Sequence, residues 1–165
     1  MRKYIAEGVG TMLLTLIACG IAVTSGVDLV ATSLAFGLVI VAAAYSIGNV
    51  SGCHINPAVS IALLVAGKMT VKECIFYVIS QIIGAFVGSL LLGLILGNFS
   101  TLGANGLVGD TTVWIALLVE VILTFIFTAT PQATSVNNIV PTPSAIYFLI
   151  LHLLNLIIYQ INNIS

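Results

Sequence analysis

Apolar runs alternate with short polar breaks along most of this chain, and several runs are longer than soluble helices use. Tyr4 to Val23 carries one charge, Glu7; Leu29 to Ile47 and Cys74 to Leu96 carry none. Val113 to Phe127 carries only Glu120 and reaches spanning length if it continues to about Thr130, just before Pro131. Ala145 to Ile161 carries no charge but is interrupted by His152, Asn155 and Gln160. Stretches of about 18 or more such residues are candidate membrane helices. The pattern therefore predicts spans over 4–23, 29–47, 74–96 and 113–130, with a candidate extra span over 145–161.

One segment breaks the pattern. Ser51-Gly52-Cys53-His54-Ile55-Asn56-Pro57-Ala58-Val59-Ser60 is a polar loop running into the apolar stretch Ile61 to Ala66. Asn is a favoured N-cap, and Pro suits the first helical position because its missing N–H would be unpaired there anyway. A helix over 56–66 would be about 16 Å long, roughly half the hydrocarbon thickness of a bilayer. Such a segment dips into the membrane and returns, sheltered by neighbouring helices, with its N-terminus aimed at a water-filled path.

Composition removes the soluble alternatives. Hydrophobic residues make up 60% of the 165-residue chain, charged residues 5%, and mean hydropathy is +1.25, against about one-quarter charged residues in ordinary soluble domains. A net charge of -1 with four basic residues offers no footprint for nucleic acid. Placing the N-terminus in the cytoplasm puts Arg2, Lys3, Lys68 and Lys72 on one side, with Asp28 and Asp110 in opposite loops, as the positive-inside rule expects. The half-helix then enters from the cytoplasmic side. A lipoprotein signal ending at Cys19 is the rival reading of the N-terminus, opposed by Glu7 inside its apolar core and by the span that follows.

A charge at bilayer depth costs at least about 2–3 kcal/mol and is kept for a partner or a pathway. Glu7 precedes Thr11 by four residues and Glu120 precedes Thr124 by four, so each pair shares a helix face. The repeated Glu-x-x-x-Thr points to an internal duplication, inverted because an odd number of elements separates the copies. Gly84-x-x-x-Gly88 and Gly93-x-x-x-Gly97 read as close-packing devices between helices. Cys19, Cys53 and Cys74 form no metal-ligand spacing, and the pair His152 and Asn155 reads as helix contact.

Together with Asn56-Pro57-Ala58, the motifs Ala6-Glu7-x-x-Gly10-Thr11, Ala35-Phe36-Gly37 and Tyr77-x-x-Ser80-Gln81-x-x-Gly84-Ala85 resemble the aquaporin, or major intrinsic protein, family over about Met1 to Phe127. The resemblance implies an all-α membrane protein, a right-handed helix bundle with a re-entrant half-helix. It implies that Asn56 donates side-chain N–H groups to permeating water. The carbonyls of Gly52, Cys53 and His54 would form a ladder of acceptors, and Phe36 would belong to the narrow filter. Buried Glu7, Thr11, Gln81, Glu120 and Thr124 would be structural struts. Phe at position 36, where glycerol facilitators carry Trp, favours water. Cys53, placed beside the path, becomes a candidate for block by thiol reagents. No cofactor or metal is implied; the resemblance implies a homotetramer in the plasma membrane, with membrane lipid and water or a small neutral solute as partners.

The chain departs from the family after Phe127. Residues 128–144 are rich in Thr, Pro and Asn, and Arg2 is the sole arginine, so the filter arginine that follows the family's second signature has no counterpart. The Glu7-to-Glu120 offset of 113, applied to Asn56, falls beyond Ser165. The sequence thus predicts a truncated or frameshifted second repeat, with 1–127 as the transmembrane region and 128–165 as a divergent tail. Its expected function is passive water conduction. The alternatives are a glycerol or small neutral-solute facilitator, a non-conducting fragment that acts as an assembly partner, and a proton-coupled transporter or membrane enzyme using Glu7 and Glu120. No Ser/His/Asp, Cys/His or metal-binding cluster speaks for catalysis.

Overall fold

Capping residues, more than hydropathy, decide where the helices of this protein start and stop. The computed structural model describes residues 1–26, 28–100, 102, 103, 112, 114, 115, 118 and 122. Most of the expected fourth span, Glu120, Thr124 and everything from 128 onward lie outside the described residues. The first span runs over Arg2–Thr24 as α1 (Arg2–Leu13), a π-helical stretch (Leu14–Cys19) and α2 (Gly20–Thr24). Its last turn satisfies its own carbonyls: Thr24 Oγ1 donates to Gly20 O at 2.8 Å and Ser25 Oγ to Ile21 O at 2.6 Å. The six π-helical residues carry no sequence signal that hydropathy could register.

Helix α3 (Leu29–Ser51) starts at Asp28, whose Oδ1 accepts the Ala31 N–H at 2.9 Å, and stops at Gly52, which takes the left-handed φ of +87°. It therefore runs past Ile47 through the polar Asn49 and Ser51. Helix α5 (Val71–Leu96) begins ahead of Cys74 because Thr70 and Glu73 form a reciprocal capping box, and it ends at Gly97, φ +63°. Between them lies the short α4 (Pro57–Val65), capped by Asn56 and ending at Ala66.

Helix α1 packs chiefly on α5, with α3 flanking it and α4 resting on α5. Glycine makes the α1–α5 crossing possible. A methyl group on Gly84 would run into the backbone carbonyl of Gly8, and one on Gly88 would lie 2.6 Å from the Met12 carbonyl. The second glycine pair of α5 acts otherwise: Gly93 faces the Phe99 ring and Gly97 is the helix C-cap. At the helix starts, Lys3 Nζ meets Glu73 Oε1 at 2.5 Å and joins α1 to α5.

Burial is inverted relative to a soluble protein. The largest fully buried side chains are Gln81, Glu7, Val59, Ser33 and Ser60, whereas Ile5, Leu38, Ile82, Ile83, Phe86, Leu94 and Ile95 face outward. Lipid can cover the apolar jacket, but it cannot hydrogen-bond the polar interior, which must satisfy itself. Three described helices, Arg2–Thr24, Val30–Ser51 and Val71–Leu96, are long and apolar enough to cross a membrane. The architecture is helical, with no strand among the described residues.

Candidate functional site

The site is built around the loop 52–56, whose shape the sequence resists. Cys53 and the β-branched Ile55 both adopt positive φ, +53° and +41°. Left-handed backbone costs a non-glycine residue about 1–2 kcal/mol, so something must hold it. That something is Glu7, fully buried on α1. Its Oε1 accepts from Ser51 Oγ at 2.6 Å and from the His54 N–H at 2.9 Å. Its Oε2 accepts from the Ile55 N–H at 2.6 Å and from Gln81 Nε2 at 2.8 Å. Four donors thus fill the roughly four lone-pair positions that a carboxylate offers.

Two more groups brace the same loop. Tyr77 on α5 donates its hydroxyl to the Ser51 carbonyl at 2.7 Å, satisfying an acceptor of the last α3 turn. Its ring packs 4.7 Å from the His54 ring and meets Tyr4 edge-on at 5.6 Å. Ser51 Oγ, besides donating to Glu7, accepts the Cys53 N–H at 3.2 Å. With the loop's amides drawn inward, the carbonyls of Gly52, Cys53 and His54 accept no hydrogen bond among the described residues.

Asn56 completes the site. Its backbone is extended, and its Oδ1 accepts the Ala58 N–H at 2.8 Å, which starts α4 with Pro57 in the first turn. This bond sets the orientation of the amide, and the exposed Nδ2 group presents two donors at the N-terminus of α4. Helix α4 buries Val59 and Ser60 and exposes Ile61 and Val65. Cys53 and His54 lie between the spanning helices. Burial, with the Glu7 charge adding to it, pushes the Cys53 thiol up to about 12. Burial also lowers the His54 imidazole below its ordinary value, against an opposing effect of Glu7.

Of the residues singled out from sequence, Glu7, Gln81, His54, Asn56 and Ala58 join this one network, while Cys53 and Gly52 shape its loop. Thr11 stands apart from the carboxylate: its hydroxyl donates to the Glu7 backbone carbonyl at 2.8 Å. Phe36 is half-buried on α3 between the buried Ala35 and Gly37. Glu120 and Thr124 lie outside the described residues. Ser51, Ile55, Ser60 and Tyr77 are the participants that sequence reasoning did not assign. Ser60 carried a usable signal, sitting four residues, about one helical turn, after Asn56.

The model of the family described as "Major intrinsic protein" matches residues 1–163, running past Phe127. Aquaporin Z of Rhodopseudomonas palustris is 47% identical over 100 residues, 57% of this chain and 42% of the relative. Aquaporin Z of Bradyrhizobium diazoefficiens is 46% identical over 101 residues, 58% of this chain and 42% of the relative. Glycerol uptake facilitator protein-like 6 of Lactiplantibacillus plantarum is 39% identical over 133 residues, 77% of this chain and 60% of the relative. The chain thus matches about half the length of these curated relatives.

Proposed function

We propose that this chain, which belongs to the major intrinsic protein family, forms a passive path for water in which molecules cross in single file past Asn56. The family consists of membrane channels rather than enzymes. The observation that carries the reading is the Asn56 amide, whose oxygen is held by the Ala58 cap and whose two N–H donors stand exposed at the start of α4. A water oxygen passing there accepts from Asn56, and its own hydrogens find the open carbonyls of Gly52, Cys53 and His54. A cation gains nothing from the amide and meets the positive end of the α4 dipole. The glutamate, serine and tyrosine behind the loop serve to hold these groups in place.

Water is favoured over larger solutes by Phe36 and by the two relatives named Aquaporin Z. A path for a small polyol is the second reading, favoured by the relative named glycerol uptake facilitator protein-like 6. The proposed setting is the plasma membrane, with the N-terminus cytoplasmic so that Arg2, Lys3, Lys68 and Lys72 lie inside, and with a homotetramer as the assembly. Vesicles carrying the full 165-residue chain, challenged with a sucrose or a glycerol gradient, separate the two solutes. Shrinkage without reswelling in glycerol supports water selectivity; rapid reswelling in glycerol replaces it with the polyol reading.

A further inference from the structure

The buried cluster behind the loop fixes a proton as well as a backbone. Gln81 donates one amide N–H to Glu7 Oε2 at 2.8 Å and the other to Ser60 Oγ at 3.1 Å. Its Oε1 is buried and has no partner among the described residues. Turning the amide over would set that oxygen against the Glu7 carboxylate, so the carboxylate decides the orientation. Ser60 Oγ is thereby an acceptor towards Gln81, with a single proton left to give.

Two acceptors compete for that proton. His54 Nδ1 lies 3.0 Å from Ser60 Oγ, and the Asn56 carbonyl lies 3.4 Å away. The Asn56 carbonyl already accepts the Ser60 backbone N–H at 3.2 Å. With Nδ1 protonated, Ser60 Oγ would accept from both Gln81 and His54 and its own proton would be left the 3.4 Å contact to a carbonyl that already accepts; with Nδ1 bare, that proton takes the 3.0 Å contact, the better-satisfied arrangement. A neutral imidazole that accepts at Nδ1 carries its proton on Nε2. Nε2 has no hydrogen-bond partner among the described residues and lies beside the exposed Gly52, where a methyl group would come within 3.2 Å of it. Tyr77 holds the ring in place, with the two ring centroids 4.7 Å apart.

We infer that the relay from Glu7 through Gln81 and Ser60 locks His54 in the Nε2–H tautomer and presents that N–H as a fixed donor at the mouth of the loop beside Gly52. Ser60 and Gln81 are positioning residues for His54. The group that receives this donor is the oxygen lone pair of a neutral hydroxylic permeant, water first. That last step rests on the pathway proposed above, whereas the tautomer does not.

Solid-state NMR of the full chain, labelled with 15N-histidine in lipid bilayers at neutral pH, reads the tautomer directly. The chain has two histidines, and His54→Gln identifies the His54 signals by their loss. The expected pattern for His54 is one tautomer, with Nε2 protonated and Nδ1 not. Ser60→Ala is expected to add Nδ1-protonated signal, and Ser60→Thr, which restores a hydroxyl, to remove it. Protonated Nδ1 as the main species in the unmodified protein overturns the inference. So does a pattern unchanged by Ser60→Ala. The result stands apart from conduction: a chain that passes no water can still show the locked tautomer, and a conducting chain can lack it.

Discussion

Ile55 keeps its left-handed backbone, φ +41°, because Glu7 accepts its amide N–H at 2.6 Å from a helix 48 residues away. The carboxylate does locally what no local sequence preference would do. Backbone strain is placed next to Asn56, and its compensation sits on α1. Strain of this kind persists where surrounding structure over-determines it, and such places are commonly functional.

Glu7→Gln tests that dependence. The amide supplies one acceptor oxygen in place of two, and its NH2 group opposes the donors of His54, Ile55, Ser51 or Gln81. Each buried donor left unmatched costs about 1–3 kcal/mol, so the expected destabilisation is roughly 3 kcal/mol or more. Thermal unfolding in detergent, followed by helical circular dichroism, measures it. An unchanged melting temperature would contradict the role given to Glu7.

Gly84→Ala is expected to pry α1 from α5, because the new methyl group meets the Gly8 carbonyl, and backbone cannot swing aside. Overpacking of this sort costs about 1–3 kcal/mol. Gly93→Ala meets the Phe99 ring instead, a side chain that can turn away, and should cost less. Equal melting temperatures for the two variants would count against the glycine crossing.

Cys53 offers a pH-dependent prediction. Burial and the Glu7 charge push its thiol up to about 12, so the reactive thiolate is scarce at pH 8 and grows as pH rises. In a Cys19→Ser, Cys74→Ser background, iodoacetamide labelling should be slow at pH 8 and quicken about tenfold per pH unit through pH 9.5. A rate that levels off near pH 9 would show an ordinary thiol. Water flux that thiol reagents still block after Cys53→Ser would remove Cys53 from the path.

Much of this fold could be read from the chain because membrane helices announce themselves by length, and Asn56-Pro57 announces a helix start. Glu7 stood out because charge is rare at that depth. The helix ends were harder: α3 and α5 extend through Asn49, Ser51, Lys72 and Glu73, polar residues that hydropathy excludes and caps include. The π-helical stretch from Leu14 to Cys19 has no compositional mark. Helical spacing puts Thr11 on the face of Glu7 but does not say what its hydroxyl bonds, which is the backbone carbonyl of Glu7, a common choice for Thr within a helix. The role of Tyr77 was hidden because tyrosine is ordinary in membrane helices until a strained loop is seen beside it.

Osmotic shrinkage of vesicles bearing the full chain, with and without Asn56→Asp, is the most direct test of the pathway. Asp caps a helix about as well as Asn, so the loop and α4 should keep their shape while the two exposed N–H donors give way to an acceptor. Shrinkage well above that of protein-free vesicles is expected for the unmodified chain, with a loss of at least about tenfold of the excess in the variant. Shrinkage at the protein-free rate with insertion confirmed, or an Asn56→Asp protein as fast as its parent, would contradict the pathway.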